Sequence, residues 1–200
     1  MRKDTNFGID KSKIKIDKSR INWDYILGMI ATDGHLRHRE KQTGVVITQN
    51  NIEFIKSLQD FFTAEGFKTG IYMDGRQVSG NKDLYEFVMC RAIENYDSYY
   101  AGVIDGDGSF CSHKSSSGDY WRFNIASNKK RKLTVFNEMF FYFNLIPIKW
   151  EGKSEVIYFG IQRAELLIKL IRRIQDYVII KKDVLELITP KISKFLSDRK

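Results

Sequence analysis

Apolar and polar residues follow helical and strand spacing in the same order twice along the chain. In the first half, apolar residues recur at helical spacing over 22–32 and 52–62, which predicts two helices. The capping candidates are Asn22 for the first helix and Asn50 or Asn51 for the second. Stretches that alternate between apolar and polar residues, with glycines between them, predict two strand pairs. The predicted ranges are 36–47 for the first pair, and 71–73 with 84–89 for the second.

The second half repeats this order. Its predicted elements are helices at 97–105, 132–143, 164–175 and 181–188, and strands at 109–113, 120–126, 148–150 and 156–162. Pro190 is expected to end the last helix. Gly28 and Gly102 are 74 residues apart, and the segments that begin at Phe87 and Phe159 are 72 apart, so the offset between the halves is nearly constant. The pattern therefore predicts an α+β fold class, with αββαββα units duplicated in tandem.

Each half contains an apolar helical run that ends in Asp-Gly, at 26–34 and at 100–108. The small residues at four-residue spacing are Gly28 and Thr32 in the first copy and Gly102 and Gly106 in the second. Such spacing allows two helices to approach closely, and Asp33 and Asp107 would then emerge at the same end. Two nearby carboxylates repel each other unless a divalent cation lies between them. Paired carboxylates that bind metal are a common arrangement for phosphodiester cleavage.

Composition narrows the class of protein. The formal charge of +8, from 33 Lys and Arg against 25 Asp and Glu, favours a phosphate backbone or an acidic lipid surface as a partner. No uncharged apolar run is long enough for a membrane span, and no secretory signal begins the sequence. Cys90 and Cys111 are too few for a disulfide framework and do not have zinc-site spacing. We therefore expect an intracellular protein with reduced thiols and no membrane partner.

The two Asp-Gly segments, Tyr25–Gly34 and Tyr99–Phe110, resemble the signature of the LAGLIDADG homing endonuclease family. The resemblance extends over about 22–190, and two copies in one chain imply the single-chain, pseudo-symmetric form, which acts as a monomer. It implies a central interface of two signature helices and a four-stranded antiparallel sheet in each half. The two sheets would form a saddle that binds the major groove of DNA. We expect a basic arm at 1–20, a first half-domain at 21–97 and a second at 98–200.

The resemblance also assigns residues to the active site. The last acid of each signature, Asp33 and Asp107, would bind Mg²⁺, together with the glycines that follow, Gly34 and Gly108. Mn²⁺ would also serve, and Ca²⁺ would be a substitute that does not support cleavage. Asp105 would lie at the helix interface and not at the metal.

Four further catalytic candidates surround the acids by the same resemblance. They are Gln49 and Ser127 after the second strand of each half, and Arg91 and Arg163 near the end of the last strand of each half. A shift of one residue would give Cys90 and Gln162 in place of the two arginines. Because Gln49 and Ser127 differ, the two half-sites are not chemically equivalent.

Strand parity and charge predict the DNA-binding residues. Arg37, Arg39 and Lys41 share one face of a strand, as do Arg122 and Asn124, and arginine and asparagine bind guanine and adenine edges. The remaining candidates are Arg76, Gln77, His113, Lys149 and Lys153 on strands, and Lys129 and Lys130 at a helix start.

The leading hypothesis is an Mg²⁺-dependent endonuclease that cuts a long specific DNA duplex across the minor groove and leaves 3′ overhangs. The alternative is a binder without nuclease activity on the same scaffold, either a maturase for an intron RNA or a DNA-binding regulator. A third hypothesis, an unrelated basic α+β domain, leaves the duplicated signature unexplained.

Overall fold

The computed structural model describes residues 16–39, 42–115 and 118–199, which divide into two compact units. The N-terminal unit comprises the described residues up to Gly106, together with the segment Tyr177–Ile180. Its helices are α1 (Trp23–Thr32), α2 (Ile52–Ala64), α3 (Lys82–Cys90) and most of α4 (Tyr96–Asp107). Its strands are β1 (Gly34–Arg39), β2 (Gln42–Thr48), β3 (Thr69–Tyr72) and β4 (Gln77–Gly80).

Asparagine side chains begin the first three helices. Asn22 accepts a hydrogen bond from the Tyr25 N–H, Asn51 from Phe54 and Asn81 from Leu84, at 3.0, 2.9 and 3.3 Å. Each bond satisfies a backbone donor that has no partner within its helix. The predicted cap at Asn22 is confirmed, and Asn51 is the cap of the second helix.

The N-terminal sheet is antiparallel with strand order β1-β2-β4-β3. Its register places Leu36, Val45, Ile47 and Val78 on one face, and α2 and α3 pack on the strands with buried Phe54 and Leu84. The other face, which we call the N-terminal polar face, carries His35, Arg37, Thr48, Gln77, Ser79 and Tyr72. One face therefore forms the core, and the other presents polar groups.

The C-terminal unit, formed by the described residues of 107–176 and 181–200, repeats this arrangement. Its strands are β5 (Ser109–Ser115), β6 (Gly118–Ser127), β7 (Ile148–Glu151) and β8 (Ile157–Ile161), in the antiparallel order β5-β6-β8-β7. Its helices are α5 (Lys130–Tyr142), α6 (Ala164–Ile174) and α7 (Lys182–Ser197). Phe136 and Phe140 of α5 pack against Phe159 and Phe123 of the sheet, with ring centroids 6.2 and 6.3 Å apart. These aromatic residues form the core, as their helical spacing predicts.

The predicted α+β class with two four-stranded antiparallel sheets is confirmed, but one predicted strand is wrong. Residues 84–89 lie in α3, and the strand that pairs with β3 is Gln77–Gly80. This strand is short and only Val78 is a large apolar residue, so its alternation is weak. Leu84 and Val88 are buried one helical turn apart behind the Asn81 cap, and that spacing outweighs the strand propensity of Tyr, Phe and Val. The 72-residue alignment of Phe87 with Phe159 is wrong for the same reason.

One further prediction needs correction. Helix α7 continues through Pro190 to Ser197, because a proline removes only one backbone donor from a helix that packs well on both sides of it. Of the predicted arm at 1–20, only residues 16–20 lie within the described part of the chain. There Ile16 is buried, Lys18–Arg20 form a 3₁₀ turn, and the Arg20 guanidinium donates to the Val178 carbonyl at 3.2 Å. In the described part of the chain, no helix is both long enough and apolar enough to cross a membrane.

Candidate active site

The two Asp-Gly helices, α1 and α4, pack in direct backbone contact within the N-terminal unit. A Cβ on Gly28 would overlap the carbonyl oxygen of Tyr99, and a Cβ on Gly102 would overlap that of Tyr25. Gly106 lies in the same way against the Thr32 side chain. In these contacts, residues later in α1 face residues later in α4, so the two helices run in the same direction. The predicted close approach through small residues is therefore present.

Asp33 follows the last residue of α1 and receives a hydrogen bond from a fixed amide. Gln49 Nε2 donates to Asp33 Oδ2 at 2.9 Å. The Gln49 backbone N–H bonds to the Arg76 carbonyl, and its Oε1 accepts from the Asn50 N–H, both at 2.8 Å. Because Oε1 is engaged with a donor, the amide nitrogen is the atom directed at the carboxylate. The structure thus brings together two residues that the resemblance assigned to one site.

Asp107, the last residue of α4, has a different partner. Lys132 Nζ lies 2.6 Å from Asp107 Oδ2, and these side chains are only 15% and 18% exposed. Lys132 is the third residue of α5, and it was not among the predicted catalytic residues. The sequence feature that points to Lys132 is the basic run 129–132, which lies at the start of a helix. That helix start has no side-chain cap and no acid in its first turn. Positive charge there opposes the helix dipole, so a nearby anion was to be expected.

Asp105 has a structural role in the N-terminal unit, in line with the expectation that it lies at the helix interface. Its Oδ2 accepts hydrogen bonds from the Tyr25 hydroxyl at 2.8 Å and from the backbone N–H groups of Ile179 and Ile180 at 2.7 and 2.9 Å. The carboxylate is 1% exposed. One buried acid therefore joins α1, α4 and the segment Tyr177–Ile180 by charge-assisted hydrogen bonds.

Tyr25 is expected to make stability depend on pH at the alkaline end. Burial, and then the negative charge of Asp105, raises the pKa of the Tyr25 hydroxyl well above its usual value of about 10. The unfolded chain loses this proton near pH 10 and the folded chain keeps it, so the stabilisation present below about pH 10 is lost as pH rises through the folded pKa. Tyr25→Phe should reduce the fall in unfolding free energy between about pH 9 and 11, measured by urea denaturation. Tyr72→Phe, at an exposed side chain, is the control, and an equal fall in both variants would contradict the assignment.

The remaining catalytic candidates differ in how well their positions in the structure match the predicted ones. Ser127 ends β6, where its Oγ accepts a hydrogen bond from the Lys129 N–H at 3.0 Å. Arg163 follows β8 directly before α6, and it is exposed. Arg91 was expected to follow a strand, and this is wrong because it follows α3. Its guanidinium lies 5.7 and 5.4 Å from the ring centroids of Trp23 and Phe87, which is a packing position.

Three of the predicted DNA-binding residues of the N-terminal unit lie on or beside its polar face: Arg37, Arg76 and Gln77. Arg37 is exposed, and Gln77 Nε2 donates to Thr48 Oγ1 at 3.2 Å. Arg76 lies in the turn before β4 and is also exposed. Lys41 and the side chain of Arg39 lie outside the described residues.

Register places Arg122 and Asn124 on one face of the C-terminal sheet with Cys111, Tyr158 and Trp150; we call this the C-terminal polar face. Here the rings of Trp150 and Tyr158 stack at 5.3 Å with an interplanar angle of 7°.

Lys149, by contrast, lies on the core face, where its Nζ is 5.7 Å from the ring centroid of Phe159. The structure does not bring it to the polar face, because residues adjacent along a strand point to opposite faces. Lys129 and Lys130 are exposed at the start of α5. The side chains of His113 and Lys153 lie outside the described residues.

Among the described residues, no group of three or more His, Cys, Asp or Glu side chains forms a ready metal site. Asp33 and Asp107 are each partly exposed carboxylates followed by a glycine. Carboxylate oxygens are the ligands that Mg²⁺ and Ca²⁺ prefer, and Mg²⁺ commonly uses only one or two of them. The donor set at these positions therefore fits a hard divalent cation.

Comparison with known proteins supports the resemblance. A family model described as a LAGLIDADG-like domain matches residues 22–98. No curated protein sequence gives a significant match.

Solved structures match along nearly the whole chain. The LAGLIDADG meganuclease I-AabMI bound to uncleaved DNA is 14% identical, with 90% of this chain and 92% of that chain covered and a TM-score of 0.64. The LAGLIDADG homing endonuclease I-GzeII in complex with its DNA target is 11% identical, with coverage of 90% and 92% and a TM-score of 0.62. The LAGLIDADG homing endonuclease I-SmaMI bound to cleaved DNA is 13% identical, with coverage of 90% and 91% and a TM-score of 0.60. I-SmaMI is also known bound to an uncleaved target in the presence of calcium ions. At these identities the matches establish the fold.

Proposed function

We propose that this chain, which carries a LAGLIDADG-like domain at residues 22–98 and has the fold of the LAGLIDADG homing endonucleases, is a site-specific DNA endonuclease that cuts both strands of a long duplex. One observation carries the proposal: each of two closely packed parallel helices leads into a carboxylate that is held by a polar side chain of its own unit. These carboxylates are Asp33, held by Gln49, and Asp107, held by Lys132. A DNA-binding scaffold that had lost its nuclease function would have no need to retain both acids.

Asp33 and Asp107 would hold Mg²⁺ or Mn²⁺, together with the glycines that follow them, Gly34 and Gly108. The metal would supply an activated water and charge stabilisation for phosphodiester hydrolysis. Ca²⁺ would bind without supporting cleavage, in keeping with the uncleaved I-SmaMI complex in calcium. Gln49 fixes the orientation of the Asp33 carboxylate by donating a hydrogen bond to it, which is the role of outer partners in metal sites. Ser127 and Arg163 are further candidates in the second half, where Arg163 would support the charge of the reacting phosphate.

The polar faces of the two sheets would bind the major groove. Arg37, Arg122 and Asn124 present the groups that suit guanine and adenine edges. Lys129 and Lys130, at the start of α5, would contact phosphates, because a basic helix start is best stabilised by an external anion. We assign the half-domains to 21–97 and 98–200, acting as a monomer on a two-part DNA site with 3′ overhangs after cleavage.

The alternation of side chains between the two faces of a strand gives a test of DNA recognition. Arg37→Ala should weaken binding to the specific duplex by about tenfold or more, because a buried bidentate base contact is worth about 1–3 kcal/mol. Lys149→Ala is the control: it removes one positive charge as well, but from the core face of its sheet, and should have a much smaller effect. Fluorescence anisotropy over a series of salt concentrations measures both. Equal losses in the two variants would mean that the polar faces are not the recognition surface.

The function itself is tested with a randomised duplex library incubated with Mg²⁺. Specific double-strand cuts that share one recognition site and carry 3′ overhangs would support the proposal. Specific retention of duplexes without cuts would instead support a DNA-binding regulator. If the library gives neither retained nor cut duplexes, DNA is contradicted as the partner. The maturase alternative has no support in these similar structures, which are DNA complexes.

A further inference from the structure

The C-terminal polar face contains an apolar strip, which consists of Ile148, Trp150 and Tyr158. Pairing between β7 and β8 places Trp150 beside Tyr158 and Ile148 beside Gly160. The indole and phenol rings stack at 5.3 Å with an interplanar angle of 7°. Because Gly160 has no side chain, the indole extends over it, and a Cβ at this position would lie 2.8 Å from Trp150 Cζ3. Ile148 is 51% exposed and the two aromatic side chains are half-buried, so the strip is accessible on this face.

The corresponding place in the N-terminal sheet is polar. Thr48 and Ala126 lie at the same distance before the next helix, which begins at Ile52 and at Lys130. Pairing across the sheets therefore gives two equivalent rows, Thr48-Gln77-Tyr72 and Ala126-Tyr158-Trp150. In the first row, Gln77 Nε2 donates a hydrogen bond to Thr48 Oγ1 at 3.2 Å. In the second row, alanine replaces the hydroxyl and two stacked rings occupy the other positions, so apolar surface replaces hydrogen-bonding groups.

This apolar surface matches one chemical group of duplex DNA. In the major groove the base edges present hydrogen-bond donors and acceptors, and the 5-methyl group of thymine is the apolar exception. An apolar side chain placed against a polar base edge would remove water from that edge without replacing its hydrogen bond, which is unfavourable. Against a thymine methyl group, the same side chain gains by burying apolar area. Asn124, which pairs with Gly160 beside the strip, suits adenine, so both features favour A·T pairs.

We propose that the apolar strip recognises thymine methyl groups in the part of the DNA target that the C-terminal sheet binds, with Trp150 as the main specificity-determining residue. This inference rests on the proposed function, since it takes the polar faces of the sheets to be the DNA-binding surface. The two halves of the target are then recognised by different chemistry at equivalent places. The N-terminal sheet uses hydrogen bonds from the row that contains Gln77, and the C-terminal sheet uses apolar contact from the row that contains Trp150.

The test replaces single thymines in the specific duplex selected from the randomised library. Deoxyuridine lacks only the methyl group of thymine, so each replacement isolates that group. At one or more positions, binding of the full chain should weaken by about fourfold, the contribution of one buried methyl group. Trp150→Gln should abolish this penalty, whereas Tyr72→Gln, at the equivalent exposed residue of the N-terminal sheet, should leave it unchanged. Fluorescence anisotropy of labelled duplexes in Ca²⁺ gives the affinities for this double-mutant cycle.

A second replacement adds the methyl group instead of removing it. At the same positions, a duplex with 5-methylcytosine should bind the full chain about fourfold more tightly than one with cytosine. The two duplexes should bind Trp150→Gln equally. This comparison separates the methyl group from the other atoms that distinguish thymine from cytosine.

The outcomes separate this inference from the proposed function. A deoxyuridine penalty that Trp150→Gln abolishes and Tyr72→Gln leaves intact would establish the inference. If a specific duplex is bound but its thymine methyl groups contribute nothing, or if the penalties persist in Trp150→Gln, the inference is overturned and the proposed function stands. If the wild-type chain binds no specific duplex, both are overturned. Circular dichroism shows whether each variant is folded; if Trp150→Gln is not, Ile148→Ser, at a more exposed residue of the strip, replaces it under the same criteria.

Discussion

Replacing either Asp33 or Asp107 with Asn is expected to lower the rate of double-strand cleavage by about a thousandfold or more while leaving DNA affinity within a few-fold. Asparagine keeps the shape of the side chain and removes the charge that a divalent cation requires. Neither acid lies on the polar faces of the sheets, so recognition of the duplex should persist. Cleavage of a plasmid carrying the selected site, with binding measured separately in Ca²⁺, provides both quantities.

Two control variants make this result specific. Asp60→Asn removes an exposed carboxylate that pairs with Lys18 at 2.9 Å, and it should leave cleavage unchanged. Asp105→Asn lies only two residues before Asp107 but should act on the fold, because it weakens the bonds to Tyr25, Ile179 and Ile180. We expect it to lower the unfolding free energy by about 2 kcal/mol or more while the folded protein still cuts. Full cleavage by both Asp33→Asn and Asp107→Asn would remove these acids from the active site.

The Asp33 half-site could be predicted through the family resemblance, and few local choices determine its geometry. The Asp-Gly pair marks the end of a helix, and Gln49 follows a strand whose alternation is clear, so its place beside the acid depends only on local register. Its amide is then fixed by neighbours in the chain and in the adjacent turn, through the Asn50 N–H and the Arg76 carbonyl. The positions of neighbouring residues along the chain were sufficient to place Gln49 beside Asp33.

The Asp107 half-site could not be predicted in the same way. Four basic residues stand at 129–132, and which of them reaches the acid depends on where α5 begins. The helix starts at Lys130, two residues before the predicted start, and each residue of shift turns a side chain by about 100° around the axis. Charge patterning alone assigned Lys129 and Lys130 to DNA contacts and gave Lys132 no role. The tertiary position of one carboxylate selected Lys132 from the basic run.

The strand β4 shows a further limit of predicting secondary structure from the periodicity of apolar residues. Gln77–Gly80 has one large apolar residue, and it is a strand because β2 and β3 on either side supply its hydrogen bonds. The more apolar residues that follow it form α3 instead, and this displaced the Arg91 candidate from the end of a strand to a packing position beside Trp23. Pairing partners distant in sequence decided both assignments, and no local pattern contains that information.

Gly102→Ala is expected to destabilise the N-terminal unit by about 2–3 kcal/mol, although alanine favours a helix over glycine by about 1 kcal/mol. The added methyl would overlap the Tyr25 carbonyl oxygen and crowd the Met29 backbone nitrogen, so α1 and α4 would have to separate. Gly28→Ala meets the Tyr99 carbonyl in the same way and should cost a similar amount. Urea denaturation monitored by circular dichroism measures the change.

Gly106→Ala distinguishes backbone contact from side-chain contact at this interface. Its added methyl would meet the Thr32 Oγ1 and Cβ, which belong to a side chain that can be shortened. The double variant Thr32→Ala with Gly106→Ala should therefore recover part of the loss, whereas Thr32→Ala should not rescue Gly102→Ala, because the obstacle there is a main-chain carbonyl. Unchanged stability in Gly28→Ala and Gly102→Ala would mean that the two helices do not pack backbone to backbone. If Gly28→Ala and Gly102→Ala both lose stability, and Thr32→Ala rescues only Gly106→Ala, the close approach of α1 and α4 lies in the stretch that leads into Asp33 and Asp107.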